Sequence, residues 1–158
     1  LGPLQVYFAE QRGMYSEASS VKRPIMAGKV KCTLNLPKSC RFIRIDPGDH
    51  PCTVHLAAIR FDRMPASLEG VLTPDGTICG SWAFLSRFDP CIVDIEVPEG
   101  AKNLTLNLEI DEAKEDMLNE ICALEVRSHS LKGVLGERAR EAVGRLKNGR
   151  ESSAKKGK

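Results

Sequence analysis

The stretch RFIRIDPGDHPCTVHLAAIRFD, residues 41–62, decides the fold. It divides into two apolar runs around a short acidic turn. In the first run Ile43 and Ile45 share one face while Arg44 points the other way; in the second, Val54, Leu56 and Ala58 share a face. That period of two is the signature of a strand. Between the runs, Asp46-Pro47-Gly48-Asp49-His50-Pro51 breaks any regular element and predicts a compact loop.

Working outward, KVKCTLNL (residues 29–36) alternates throughout, with Val30, Cys32, Leu34 and Leu36 on one face, and predicts a half-buried strand. Pro37 ends it, and a short connection leads into residue 41. The same order returns later as CIVDIEV (91–97), Pro98-Glu99-Gly100-Ala101 and NLTLNLEID (103–111). Both units place a proline after the first strand and an aspartate at the end of the second. The echo predicts two similar halves packed face to face: an all-β, antiparallel β-sandwich of jelly-roll type, with roughly eight to ten strands.

The remaining segments fit around these units. LQVYFAE (4–10) reads as a strand. QRGMYSEASS (11–20) has no apolar period and reads as a long loop that either binds something or crosses between sheets. Residues 68–72 and 77–85 flank Thr73-Pro74-Asp75-Gly76 and read as a hairpin. Residues 112–120 read as a loop or short helical turn, and ICALEVR (121–127) as a last strand. Beyond it Leu131, Leu135, Ala139, Ala142 and Leu146 lie at helical spacing, which predicts an amphipathic helix over 130–147. Its glycines, at 133, 136 and 144, each weaken it by up to about 1 kcal/mol, so it needs a partner surface. The expected organisation is a sandwich over 4–127, a linker helix over 128–149 and a disordered basic tail over 150–158, with residues 1–3 set aside as a join or cloning remnant.

A chain of 158 residues with 42% apolar and 28% charged content can bury a core without disulfides or metals. It holds no run of about 18 apolar residues and no signal-like start, so neither membrane insertion nor secretion is expected and the reading is cytoplasmic. The six cysteines (Cys32, Cys40, Cys52, Cys79, Cys91 and Cys122) form no CxxC pair. They read as reduced, buried thiols acting as small hydrophobes; a zinc site from Cys40, His50 and Cys52 lacks the usual ligand spacing. The net charge of +2 is uneven: from residue 128 onward nine Lys/Arg face three Glu, which leaves fourteen basic against eighteen acidic residues before it. No aromatics interleave the basic residues, so a solvated or docked linker is preferred there to a nucleic-acid partner.

The stretches LQVYFAEQRGMYSEASSVKRPI, LPKSCRFIRIDPGDHPCTVHLAAIRF and RFDPCIVDIEVP resemble the accessory β-sandwich module of large bacterial glycosyltransferases that build cell-surface polysaccharides. In that family a glycine, an aromatic residue, Ser-Glu and a further serine follow the first strand, matching Gly13, Tyr15, Ser16, Glu17 and Ser20. Its Leu-Arg-Ile-Asp-Pro core matches Ile43, Arg44, Ile45, Asp46 and Pro47, and its later Asp-Pro matches Asp89-Pro90. The resemblance covers about residues 4–127 and implies a noncatalytic module beside a catalytic domain of the same chain, with carbohydrate binding as a role. The cysteines depart from the pattern, and the basic helix fits a connector better than it fits the sandwich.

For catalysis there is no phosphate cradle, no GxSxG, no HExxH and no nucleotide-sugar-binding α/β pattern. A non-enzyme is expected, with no cofactor and no metal. Asp46, Asp49 and Asp62 form the best cluster for calcium, but the simpler role is structural, with Asp46 accepting hydrogen bonds in its turn and Arg44 pairing with it. Sugar recognition needs an aromatic ring flanked by polar groups. The candidates are Tyr15, with Arg12 and Glu17 close by, and Trp82, which shares a strand face with Phe84. Tyr15 can equally plug the end of the sandwich, and for Trp82 a place in the core is the preferred reading. The alternative function is a structural or oligomerisation module, homodimeric through the C-terminal helix, that binds no sugar.

Overall fold

The structure is a computed structural model that describes residues 2–56, 58–74 and 76–113. The strand expected over 121–127, the linker helix, the basic tail and Cys122 lie outside the described residues. Within them the chain is all-β and antiparallel, its sheets curled into a half-barrel. The strands in chain order are β1 (Leu4–Ala9), β2 (Ser20–Arg23), β3 (Lys29–Asn35), β4 (Phe42–Asp46), β5 (Cys52–His55) and β6 (Ile59–Phe61). They continue with β7 (Met64–Pro65), β8 (Gly76–Cys79), β9 (Trp82–Leu85), β10 (Ile92–Glu96) and β11 (Asn103–Glu112). A single 3-10 turn, Glu17–Ser19, precedes β2.

One sheet has the order β10-β4-β1-β2. The other is built on β11, whose Leu104 is paired with Leu34 of β3 and with Phe61 of β6, and whose Glu109 is paired with Lys29 of β3 and with His55 of β5. A strand has two edges, so β3 takes one edge of β11, and β6 and β5 follow each other along the other. β7 extends β6; β9 and β8 extend β5.

The repeated units explain how the sheets are joined. β3 and β11 pair within one sheet, and β4 and β10 pair within the other. Each unit is therefore an arch that crosses from sheet to sheet at its proline. The two arches are bonded to each other: the Leu36 amide donates to the Lys102 carbonyl (2.8 Å), and the Val97 amide to the Arg41 carbonyl (2.9 Å). The acidic turn of residues 46–51 is also a crossing, from β4 in one sheet to β5 in the other.

The alternating apolar positions meet inside. Leu4, Val6, Ile43 and Ile45 of the first sheet and Val54, Leu85, Leu106 and Leu108 of the second are each at most marginally exposed and belong to one core. Cutting any of these leucines or isoleucines to alanine costs about 2–5 kcal/mol through lost burial and a residual cavity. Cys40 and Cys52 lie in this core, whereas Cys79 is exposed and Cys32 and Cys91 are half-buried.

Two local expectations are corrected. The hairpin does not turn at Thr73–Gly76. Residues 77–85 instead fold on themselves as β8 and β9, pairing Cys79 with Trp82 across Gly80-Ser81. Gly80 takes φ +59, the left-handed conformation that a two-residue hairpin needs and glycine adopts freely. Leu72 forms only an isolated bridge, to Val93. The loop expected over 11–20 also ends early, because residues 17–20 already enter the 3-10 turn and β2.

Candidate functional site

Strand β1 is buried on both faces, although only one face is apolar. Leu4, Val6 and Phe8 enter the core; Gln5 and Tyr7 face outward and are still only 9% and 8% exposed. Register explains what covers them. Gln5 lies between Lys22 and Asp46, and Tyr7 between Ser20 and Arg44, in two cross-strand rows. Above these rows the 3-10 turn brings in Glu17, whose Oε1 accepts from the Tyr7 hydroxyl (2.7 Å) and whose Oε2 accepts from Gln5 Nε2 (2.8 Å). The same Gln5 Nε2 also donates to Ser20 Oγ (2.8 Å).

Arg44 and Asp46, two residues apart and thus on one strand face, form a bidentate pair of 2.6 and 2.7 Å. The guanidinium also lies over the Tyr7 ring, 5.0 Å from its centroid. Burial pushes the Asp46 carboxyl up despite the pull of Arg44. It also drives the Tyr7 phenol up to about 12, with help from the bond to Glu17. Glu17 moves the other way, held below the usual carboxylate range by Tyr7 and then Gln5.

These side chains line a hollow of about 420 Å³ together with Gly2, Asp49 and Asp89. Asp49 accepts from the Gly2 amide and contacts His50 Nδ1, each at 2.7 Å; the His50 contact, then Gly2, lower its pKa to about 2. An aromatic ring neighbours the lining residue Asp89 in sequence. Phe88, next to Asp89, is 69% exposed and meets His50 edge-on at 5.4 Å.

The residues expected to bind sugar fall in three places. Glu17 lines the hollow. Arg12 and Tyr15 come together elsewhere, at the bulge of β10, where Asp94 takes φ +62 and its register against β4 shifts. The Tyr15 hydroxyl donates to Asp94 Oδ1 (2.9 Å) and accepts from the Asp94 amide (3.0 Å). Arg12 pairs with Glu96 (2.9 Å) and Asp94 (3.5 Å) and lies over the Phe42 ring. Burial raises the Tyr15 phenol to about 12. The loop is thus pinned to a strand irregularity through the Tyr15 hydroxyl.

Trp82 lies on the outer face of the other sheet, with Ala83 and Leu85 turned inward. The His55 ring stacks on it at 4.4 Å and 18°, and His55 Nε2 meets Ser81 Oγ at 3.2 Å. One face of the indole is therefore already occupied. The three aspartates have separate partners. Asp46 holds Arg44, Asp49 holds Gly2 and His50, and Asp62 accepts from the Lys102 and Asn103 amides (3.2 and 3.0 Å).

No family model, curated protein or solved structure matches the chain. The chemistry of the hollow therefore rests on its own residues. Gln5, Tyr7, Lys22 and Phe88 were not singled out from the sequence. The signal for the first two was present, because LQVYFA alternates apolar Leu4, Val6 and Phe8 with polar Gln5 and aromatic Tyr7. Phe88 carries no pattern; only the contact of its ring with His50, beside the bond from the Asp89 amide to the Asp49 carbonyl, places it. Among the described residues no helix is long and apolar enough to cross a membrane.

Proposed function

We propose that this chain is a noncatalytic accessory module of a bacterial surface-polysaccharide glycosyltransferase, a jelly-roll-like β-sandwich that binds glycan in the hollow over Tyr7. One observation carries the reading: a hollow lined by hydrogen-bonding side chains, with the exposed Phe88 ring next in sequence to its lining residue Asp89. Its size suits one or two sugar rings. Lys22, Asp49 and Asp89 offer donors and acceptors to hydroxyls, while Phe88 offers a face to the C–H side of a pyranose.

Two of the four carboxylates lining the hollow serve as its supports: both oxygens of Glu17 are engaged by Tyr7 and Gln5, and both oxygens of Asp46 by Arg44. Asp49 and Asp89 are left to accept from sugar hydroxyls. The glycosyltransferase context is supported by the sequence resemblance, whose matched residues Glu17, Ser20, Arg44, Asp46 and Asp89 gather at this hollow or its supports.

The test is an amide-detected NMR titration with neutral cell-wall oligosaccharides. At about 10 mM sugar, enough to reveal a millimolar Kd, shifts are expected at Tyr7, Glu17, Lys22 and residues 87–89. The Trp82 indole serves as an internal reference. Phe88→Ala should weaken binding by about tenfold, the loss of one ring contact. No shift around the hollow at that concentration would overturn the proposal.

A further inference from the structure

Among the described residues strand β3 pairs with a strand, β11, on one edge only; on the other it meets just the bridge from Met26 to Lys29. Its pairing runs from Lys29 opposite Glu109 to Asn35 opposite Asn103. Bonds just beyond the two ends of the ladder tell which backbone groups face β11. The Ile110 amide donates to the Gly28 carbonyl (2.7 Å), and the Leu36 amide to the Lys102 carbonyl (2.8 Å). Bonded and non-bonded pairs alternate along an antiparallel ladder. Val30, Cys32 and Leu34 therefore exchange their bonds with β11, and Lys29, Lys31, Thr33 and Asn35 direct N–H and C=O to the open side. Lys29 uses both of its groups in a tight turn with Met26, at 3.0 Å each. Among the described residues no strand takes those of Lys31, Thr33 and Asn35.

The other edges are blunted. β10 carries the Asp94 bulge and a bridge to Leu72, β7 has two residues and contains Pro65, and β2 and β8 have four residues each. β3 is a seven-residue strand with neither proline nor bulge; its guard is the charge of Lys29 and Lys31, so a partner strand must avoid setting a cation opposite them.

We propose that the occupant is a second copy of this chain, its β3 running antiparallel to the first about a two-fold axis at Thr33. The self-complementarity of the edge selects that partner and that register. With the axis at Thr33, Lys31 faces Asn35 of the second copy and Thr33 faces itself. All the outward backbone groups of Lys31, Thr33 and Asn35 are then bonded, and no lysine meets a lysine. An axis at Lys31 would set like charges directly opposite, which is destabilising. An axis at Cys32 would spend a pairing on Lys29, whose groups are already used. The chosen register also brings Pro37 of the second copy beside Lys29 and the 70% exposed Met26, at the groove of Met26, Val30 and Cys32. An isologous pair consumes the edge in both copies, so assembly stops at two.

Sedimentation velocity of the full chain over about 1–300 µM, a range that brackets micromolar Kd values, tests this. The expected result is a monomer–dimer equilibrium. Thr33→Pro removes the outward N–H, which an edge strand tolerates, and should leave a monomer. Asn35→Asp puts a carboxylate opposite Lys31 of the second copy and Asn35→Lys a second ammonium, so the dimer Kd should tighten and loosen respectively, each by about five- to tenfold. The Asn35 pair decides the matter even if Thr33→Pro fails to fold. A chain monomeric at every concentration, or a dimer indifferent to the two Asn35 substitutions, would overturn the proposal.

Discussion

Tyr7 and Tyr15 are the two tyrosines of the chain, and both are held neutral well above their ordinary value of 10, at about 12, first of all by burial. Folding thus favours the protonated phenols. The stability this contributes is complete below pH 10 and is lost as pH rises toward 12. An ultraviolet titration of the folded protein should show no phenolate step near pH 10 and one near 12, or coincident with alkaline unfolding. A step of two tyrosines at pH 10 would contradict the buried positions. Tyr15→Phe should cost about 1–3 kcal/mol, because it strips the Asp94 amide and carboxylate of their shared partner; a thermal melt unchanged by it would show that the loop is not pinned there. The sequence could identify Tyr15 as the ring of a long loop. It could not say what the ring does, because its partner Asp94 lies 79 residues away and turns toward it only through a left-handed bulge.

Among the elements, the two arches were legible as a repeat because prolines 37 and 98 and the alternation around them follow the same order. Their pairing in crossed fashion, β3 with β11 and β4 with β10, was not, since alternation fixes which face is buried and says nothing of the neighbour. The β8–β9 hairpin shows a misread signal. Thr73-Pro74-Asp75-Gly76 has the stronger turn composition, yet Gly80-Ser81 sits between two runs that can pair at once, and pairing decides. At the end of the β3 arch, Gly28 takes φ +73 with the Ile110 carbonyl oxygen 2.9 Å from where a Cβ would stand. Gly28→Ala should therefore cost about 1 kcal/mol for the backbone conformation and more for the contact, since the obstacle is backbone and cannot swing aside. Equilibrium urea unfolding would measure it, and a loss below that conformational cost would mean the arch relaxes freely.

For the whole molecule, several carboxylates share one direction. Glu17, Asp49 and Asp62 are each held below their ordinary values by hydrogen-bond donors. Their stabilisation is present above about pH 4 and is lost as pH falls toward 2, the value reached by Asp49. Asp46, raised by burial, opposes them. The melting temperature should fall between about pH 4.5 and 2, and Asp62→Asn, which keeps an acceptor and tolerates the positive φ of that position, should flatten the fall. A melting temperature independent of pH over that window would refute the assignment. The all-β class was readable at this scale from six or more alternating runs. The hollow was not, because it is assembled from Gln5 to Asp89 by strand order rather than by any local motif.

The position of β11 has a consequence in time. It is the last described strand, and it is the spine to which β3, β5 and β6 all attach. Until residue 112 has left the ribosome, β3 has no strand to pair with, and β5 and β6 have only β9 and β7. Joining of the described strands into their sheet must therefore wait for β11 and then close many distant loops together. Slow, single-step kinetics and a need for protection during synthesis follow from that order of assembly.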